Sequence, residues 1–222
     1  MRIAFVHRRG FGQFAALAGH LADGGHDVSL ICETVDRRLP AVRVIRHRVE
    51  SGPRPNGAMA RYLEIPDHHT RIGYRVAETL ESMARHGQAP DIVIGHIGWG
   101  SMMFVKDVLP TTPALGYCEF FYRAHGADVG FAPDDRPDME TRKRLRLRNM
   151  AQLVTLDGID GGFSPTHWQK SLYPRSAQAR IAVVHEGVDT KLFYPDRHAS
   201  LQLPDGRLLK AGETRVITFV AR

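Results

Sequence analysis

The stretch RIAFVHRRGFGQFAALAGHLADGGHDVSLIC, residues 2–32, decides the fold class. Residues 2–6 are a short apolar run of strand formers. A Gly-bearing loop, residues 7–12, follows it. Phe14, Leu17, Ala18 and Leu21 then recur at helical spacing, and Gly24-Gly25 closes the helix. Residues 27–32 (DVSLIC) form a second strand. Strand, loop, helix and strand within such a short span are the opening of a parallel α/β sheet.

Working outward, residues 42–49 alternate Val42, Val44 and Arg46 against Arg43, Ile45 and His47, which predicts a half-buried third strand. Residues 51–57, with Pro53 and Pro55, mark a loop. A helix is expected over residues 68–86, with Ile72, Val76, Leu80 and Met83 on one face. Residues 91–95 (DIVIG) form an apolar strand, HIGWG (residues 96–100) is a tight loop, and Ser101 is placed to cap a helix over residues 102–109. Residues 112–117 lead into another strand. Residues 119–135 are long, aromatic and polar without a period, as functional loops are. Pro137 opens a helix whose first turn carries Asp138 and Glu140 and whose buried face is Leu147, Met150, Ala151 and Val154. Further strands are expected at residues 181–184 and 215–221, with a turn at Pro204-Asp205-Gly206 between them.

Composition narrows the function. Lys plus Arg is 30 and Asp plus Glu is 24, so the net charge is 30 − 24 = +6. That favours anionic partners without choosing one. Hydrophobic residues at 43% and charged residues at 24% are ordinary globular usage and exclude collagen, coiled coil and disorder. Cys32 and Cys118 stand far apart in no C-x-x-C pattern, which argues against a disulfide scaffold or a cysteine zinc site and fits a reducing cytoplasm. No run approaches the roughly 18 apolar residues of a membrane span. H-E-x-x-H, P-loop and G-x-S-x-G patterns are absent, so zinc proteases, Walker ATPases and serine hydrolases lack support.

Several residues can carry chemistry. Gly10, Gly12 and Ala15 spell G-x-G-x-x-A between a strand and a helix, with Glu33 at the end of the second strand. Small residues there let a phosphate approach backbone N–H groups. A Gly-rich turn in any α/β fold has the same pattern. His96 lies at a strand's carboxyl end, where open α/β sheets form their ligand crevice. A structural histidine bonded to a backbone carbonyl occupies such positions too. Glu119, Tyr122 and Arg123 follow the next strand and offer a carboxylate, a ring and a guanidinium to a sugar or polar acceptor. Arg142, Lys143, Arg144, Arg146 and Arg148 form a basic run that fans around one helix. It predicts weak contact with an anionic surface, where the alternative is a plain solvated face. The adjacent His68 and His69 share no helix face, so they do not form a common metal site.

Three segments then point to a family. GYCEFFYRAHGADVGF (residues 116–131), SPTHWQKSLYP (residues 164–174) and VHEGVDTKLFYP (residues 184–195) resemble the N-terminal half of family 4 glycosyltransferases, retaining enzymes of the GT-B fold. The G-V-D-x-x-x-F-x-P element is here Gly187, Val188, Asp189, Phe193 and Pro195. The resemblance implies two Rossmann-like domains around a cleft, with helices on both faces of each parallel sheet. It implies that residues 1–200 are the acceptor-side domain. Residues 201–222 are then the connection to, and first strand of, a second domain that grips the nucleotide sugar with paired glutamates. Gly10 and Gly12 match the Gly-rich loop facing the donor, and His96 the histidine near the transferred sugar. Glu119, Tyr122 and Arg123 match no catalytic consensus and stand as acceptor-side candidates. The implied partners are a nucleotide sugar and a glycan or lipid-linked acceptor. Nucleic acid, metal and other cofactors are not expected, and the chain by itself is expected to be inactive. The implied location is cytoplasmic, with peripheral contact at an anionic membrane. Two rival readings are an NAD-dependent oxidoreductase, resting on GFGQFA and Glu33, and a non-enzymatic basic docking module.

Overall fold

In a computed structural model of the chain, the structure describes residues 1–35, 37–50, 52, 57–132 and 134–217. The opening stretch folds as its pattern demands. Strand β1 (Arg2–Val6) leads through a short 3-10 turn into helix α1 (Ala15–Asp23), and strand β2 (Asp27–Cys32) returns beside β1 in parallel. Strand β3 (Val42–Arg46) is shorter than its alternation suggests and pairs with β2. Helix α2 (Ala60–Arg85) begins well before the expected start, with Pro66 buried inside it. A proline costs a helix one hydrogen bond and crowds the preceding turn. That is why the sequence pattern places the helix after it. Burial of the ring, and of His69, Ile72, Val76 and Leu80 beyond it, holds the helix through the proline.

Strand β4 (Ile92–His96) inserts beside β1 and is followed by the 3-10 turn Ile97–Trp99. Helix α3 is only Val105–Val108, and Ser101 does not cap it. The Ser101 hydroxyl donates to the His96 carbonyl at 3.1 Å, which ties the loop down and delays the helix. Strand β5 (Ala114–Tyr117) pairs with β4. The long helix after Pro137 breaks at Asn149 into α4 (Met139–Arg148) and α5 (Met150–Gly158). Its true cap is Asp138, whose side chain accepts the Thr141 N–H. The buried face also differs from expectation. Leu145, Ala151, Gln152, Thr155 and Leu156 turn inward, while Val154 is exposed. The break at Asn149 resets the periodicity between the two halves. Strand β6 (Gly161–Ser164) carries no sequence signal, because paired glycines have low strand propensity. Its place is fixed by closeness, since a Cβ on Gly162 would meet the Cys118 sulfur at 2.9 Å. Short helices α6 (His167–Leu172) and α7 (Arg175–Gln178) precede strand β7 (Ile181–Val183).

The seven strands form one sheet in the order β3-β2-β1-β4-β5-β6-β7, every pair parallel. Each central strand is buried on both sides. Ala4 and Val6 join the core shared with α2, α3 and α5, whereas Ile3 and Phe5 join the one shared with Phe11, Phe14 and α1. Alternate side chains feed opposite layers, as a sheet with helices on both faces requires. This is a Rossmann-like α/β fold. Its sequence order reverses between β1 and β4, and such a switch point opens a crevice at the strands' carboxyl ends.

The chain divides into two compact units, Met1–His185 and Glu186–Arg222. The second holds an antiparallel hairpin of β8 (Ser200–Gln202) and β9 (Leu208–Lys210) around the expected turn, where Gly206 has φ +87°. Of the strand expected over residues 215–221, Arg215, Val216 and Ile217 carry no strand pairing. The remainder lies outside the described residues.

Candidate functional site

The switch-point crevice collects polar groups from β1, β4 and β5. His96 ends β4 and pairs in register with Tyr117, so the residues after β5 rise beside it. Its ring is 3% exposed and held at both nitrogens. The Gly98 N–H donates to Nδ1 at 2.9 Å, which leaves the proton on Nε2. Nε2 in turn donates to the Glu119 carboxylate at 2.8 Å. Trp99 stacks on the imidazole with centroids 4.1 Å apart and planes 8° apart. The His96 ring therefore has no nitrogen left for a substrate in this geometry, and the reactive surface of the pair is the carboxylate.

Glu119 has a side chain 39% exposed. Gln13, from the turn after β1, donates to its second oxygen at 3.2 Å. The hydrogen bond from His96 holds the Glu119 carboxyl below its ordinary value. The group is thus an anchored, ionised acceptor with lone pairs to spare for hydroxyls.

The glycine loop lies against the same centre. Gly10 and Gly12 have φ of +57° and +49°, which L side chains rarely adopt. A Cβ at Gly12 would come within 2.5 Å of the His7 ring. His7, one residue past β1, was not marked by the sequence. It sits 5.7 Å from the His96 ring and 4.9 Å from Trp99, centroid to centroid. Its Nδ1 lies 2.9 Å from the Arg9 carbonyl, and its Nε2 is buried with no partner among the described residues. Burial, with His96 alongside, lowers its pKa to about 4. The available signal was position alone: a histidine at the carboxyl end of a central strand.

Beyond Trp99 opens a cavity of about 450 Å³. Arg8, His68, Arg71, Trp99, Tyr122 and Arg148 line it among others. Arg148 lies over the Tyr122 ring at 3.9 Å. Arg71 is paired with Asp67 at 2.8 Å, and Arg8 with Glu33 at 3.2 Å. Glu33, just past β2, is therefore engaged by a cation from the loop after β1. The His68 and His69 rings stand 6.5 Å apart. Burial lowers His69 to about 4 and also lowers His68. No group of three or more His, Cys, Asp or Glu placed to hold a metal occurs among the described residues.

The remaining candidates separate by face. Arg123 donates through Nε to the Leu172 carbonyl at 2.6 Å and lies over Phe121. Arg142, Lys143 and Arg146 line a second cleft with it, whereas Arg148 turns to the Trp99 cavity and Arg144 reaches the Thr141 hydroxyl at 3.5 Å. The structure thus joins His96, Glu119 and the glycine loop into one centre. It joins Tyr122 to Arg148, and Arg123 to three bases of α4.

A parallel sheet with a polar crevice at its switch point, fronted by a glycine loop, defines a ligand-binding Rossmann-like domain. The pattern of the glycosyl transferase family 4 group matches residues 24–193, and the chain belongs to that family. No curated protein matches it. Among solved structures, UGT2 of Phytolacca americana, complexed with UDP-2fluoro-glucose and pterostilbene, is similar at 13% identity and a TM-score of 0.52. The match covers 84% of this chain and 52% of that one. Os79 Q202A from O. sativa, in complex with UDP, gives a TM-score of 0.55 at 13% identity over 85% of this chain and 52% of that one. These likenesses show the GT-B fold, and the chain spans about half the length of either relative.

Proposed function

We propose that this chain is the acceptor-side domain of a retaining glycosyltransferase. It moves a sugar from a nucleotide-sugar donor to a hydroxyl of a glycan or lipid-linked acceptor. A second domain, reached through residues 201–222, grips the nucleotide. Family membership supports transfer, and the two fold relatives were captured with UDP or a UDP-sugar. The observation that carries the reading is the Gly98–His96–Glu119 chain of hydrogen bonds beside the Trp99-lined cavity. In this reading Glu119 accepts sugar hydroxyls, and His96 acts through it by fixing its oxygens. Gly10 and Gly12 let the donor's phosphates and sugar approach the backbone. Trp99 and Tyr122 offer flat faces to an acceptor ring, an arrangement that suits carbohydrate. The NAD reading loses its ribose acid, because Glu33 is ion-paired with Arg8.

Cys32 and Cys118 are both buried and stand in no C-x-x-C pattern, which agrees with a cytoplasmic location. Among the described residues no helix is long and apolar enough to cross a membrane. Sugar transfer needs both substrates held in one geometry, and such positioning is a large part of any enzyme's rate. The chain alone is therefore expected to be inactive toward nucleotide sugars, and to become active when covalently joined to a nucleotide-sugar domain of its family. Turnover by the isolated chain contradicts the division of labour. Hydride transfer from NADH by either form contradicts the class.

A further inference from the structure

The loop after β5 and helix α4 enclose a cleft of about 580 Å³ whose basic residues the transferase reading does not use. Arg123 and His125 come from the loop, and Arg142, Lys143 and Arg146 from the helix, while Met139 stands at the rim. Among the described residues no Asp or Glu lines it. Spacings of three and four residues put Arg142, Lys143 and Arg146 on neighbouring parts of one helical surface. The basic run thus does not fan evenly around α4.

Lys143 is paired, but the three guanidiniums of the cleft have no acid among the described residues. Glu140, the helix's own acid, is taken up by Lys143 at 2.9 Å, by Arg61 at 3.7 Å and by the Tyr62 hydroxyl. The Arg142 side chain donates only through Nε, to the Pro137 carbonyl at 3.1 Å, and the Arg123 side chain only through Nε, to the Leu172 carbonyl. Those bonds orient two guanidinium planes and leave their terminal N–H groups unused among the described residues. The Arg146 side chain has no hydrogen bond or ion pair among them. Folding has therefore gathered three guanidiniums around one cleft without supplying an anion. Guanidinium N–H pairs match phosphate oxygens in spacing and direction.

We propose that this cleft is an anion site for a phosphoryl group, either a phosphomonoester or a phosphodiester. The group comes from a soluble phosphate-bearing molecule or from a phospholipid headgroup. Met139 at the rim is 61% exposed, and Leu153 on the cleft wall 43%. Apolar side chains beside the bases suit a phosphate that carries an apolar substituent. The proposal does not rest on the transferase reading.

Calorimetry with inorganic phosphate and pyrophosphate, and flotation with phosphatidylglycerol or phosphatidylcholine vesicles, test it on the whole chain. The variants are Arg142→Ala/Arg146→Ala and, as a control that removes one charge of the same helix outside the cleft, Arg144→Ala. Each is checked for unchanged melting first. Binding of a free phosphate, or recovery on phosphatidylglycerol but not phosphatidylcholine, is expected for the parent and for Arg144→Ala. The double variant is expected to lose at least about tenfold, the equivalent of one charge-assisted contact. Binding of free phosphate assigns the site to a soluble ligand, and binding of vesicles alone assigns it to a headgroup. No binding of any probe overturns the proposal. So does an equal loss per charge removed in Arg144→Ala, which reduces the cleft to a diffuse basic surface.

Discussion

Gly12 and His7 occupy one space. With φ at +49° and a Cβ that would fall 2.5 Å from the His7 ring, Gly12→Ala must both strain the backbone and push the imidazole aside. A loss of about 1–3 kcal/mol in urea unfolding is expected. An unchanged midpoint would mean that the loop is not held against His7. His7 and His69 share a second property: both are neutral in the fold, with pKa values lowered by burial from 6.5 to about 4. The unfolded chain takes up those protons first, so stability falls as pH drops from about 6.5 towards about 4. Each histidine contributes on the order of 3 kcal/mol to that loss at its acid end. His7→Phe should flatten the dependence of the urea midpoint between pH 7 and pH 4.5. A slope identical to the parent's would rule His7 out as a source. His96 was legible from its place at the end of an apolar strand, and Glu119 as a polar residue after the next one. Their bond was not legible, because 23 residues separate them and only the β4–β5 register brings them together.

At the scale of elements, strands reveal themselves where both faces are buried. β1, β2 and β4 are near-continuous apolar runs, and their expected bounds lie within a residue of the observed ones. β6 was invisible, since its glycines are chosen for close approach and not for strand propensity. α2 was read short because proline signals a boundary, whereas tertiary burial of Pro66 overrides that local cost. α2 also supports the site. Gly73 lies so near the loop after β4 that a Cβ would meet the Gly100 carbonyl oxygen at 2.7 Å. An alanine in a helix interior is ordinarily worth about 1 kcal/mol over glycine. Here Gly73→Ala is expected to lower the melting temperature, since the contact is with backbone that cannot step aside. A higher melting temperature would show that α2 and the Trp99 loop are loosely packed. Asp138→Ala should lower stability through loss of the α4 cap. Equilibrium unfolding reads that directly, and a neutral result would place the helix start elsewhere.

For the whole molecule, the two-faced sheet was implied by the family resemblance, and the structure shows it in β1, which sends Ala4 and Val6 to one core and Ile3 and Phe5 to the other. The strand order, with its reversal beside β1, was not legible, because it depends on which edge each crossover returns to. The cavities were not legible, since they arise where the 96–100 loop, α2, α4 and the loop after β5 meet from distant parts of the chain. In the proposed function the switch-point carboxylate, held by His96, serves sugar transfer. The most direct measurement is kcat for glycosyl transfer by the enzyme that carries this domain, with Glu119→Gln compared with the parent. The amide keeps the shape and one acceptor oxygen but loses the charge that His96 and Gln13 hold in place. The account predicts a fall of about a hundredfold or more in kcat, in the range for loss of a charged contact made in the transition state, with melting nearly unchanged. A Glu119→Gln enzyme that melts like the parent and keeps its kcat contradicts it.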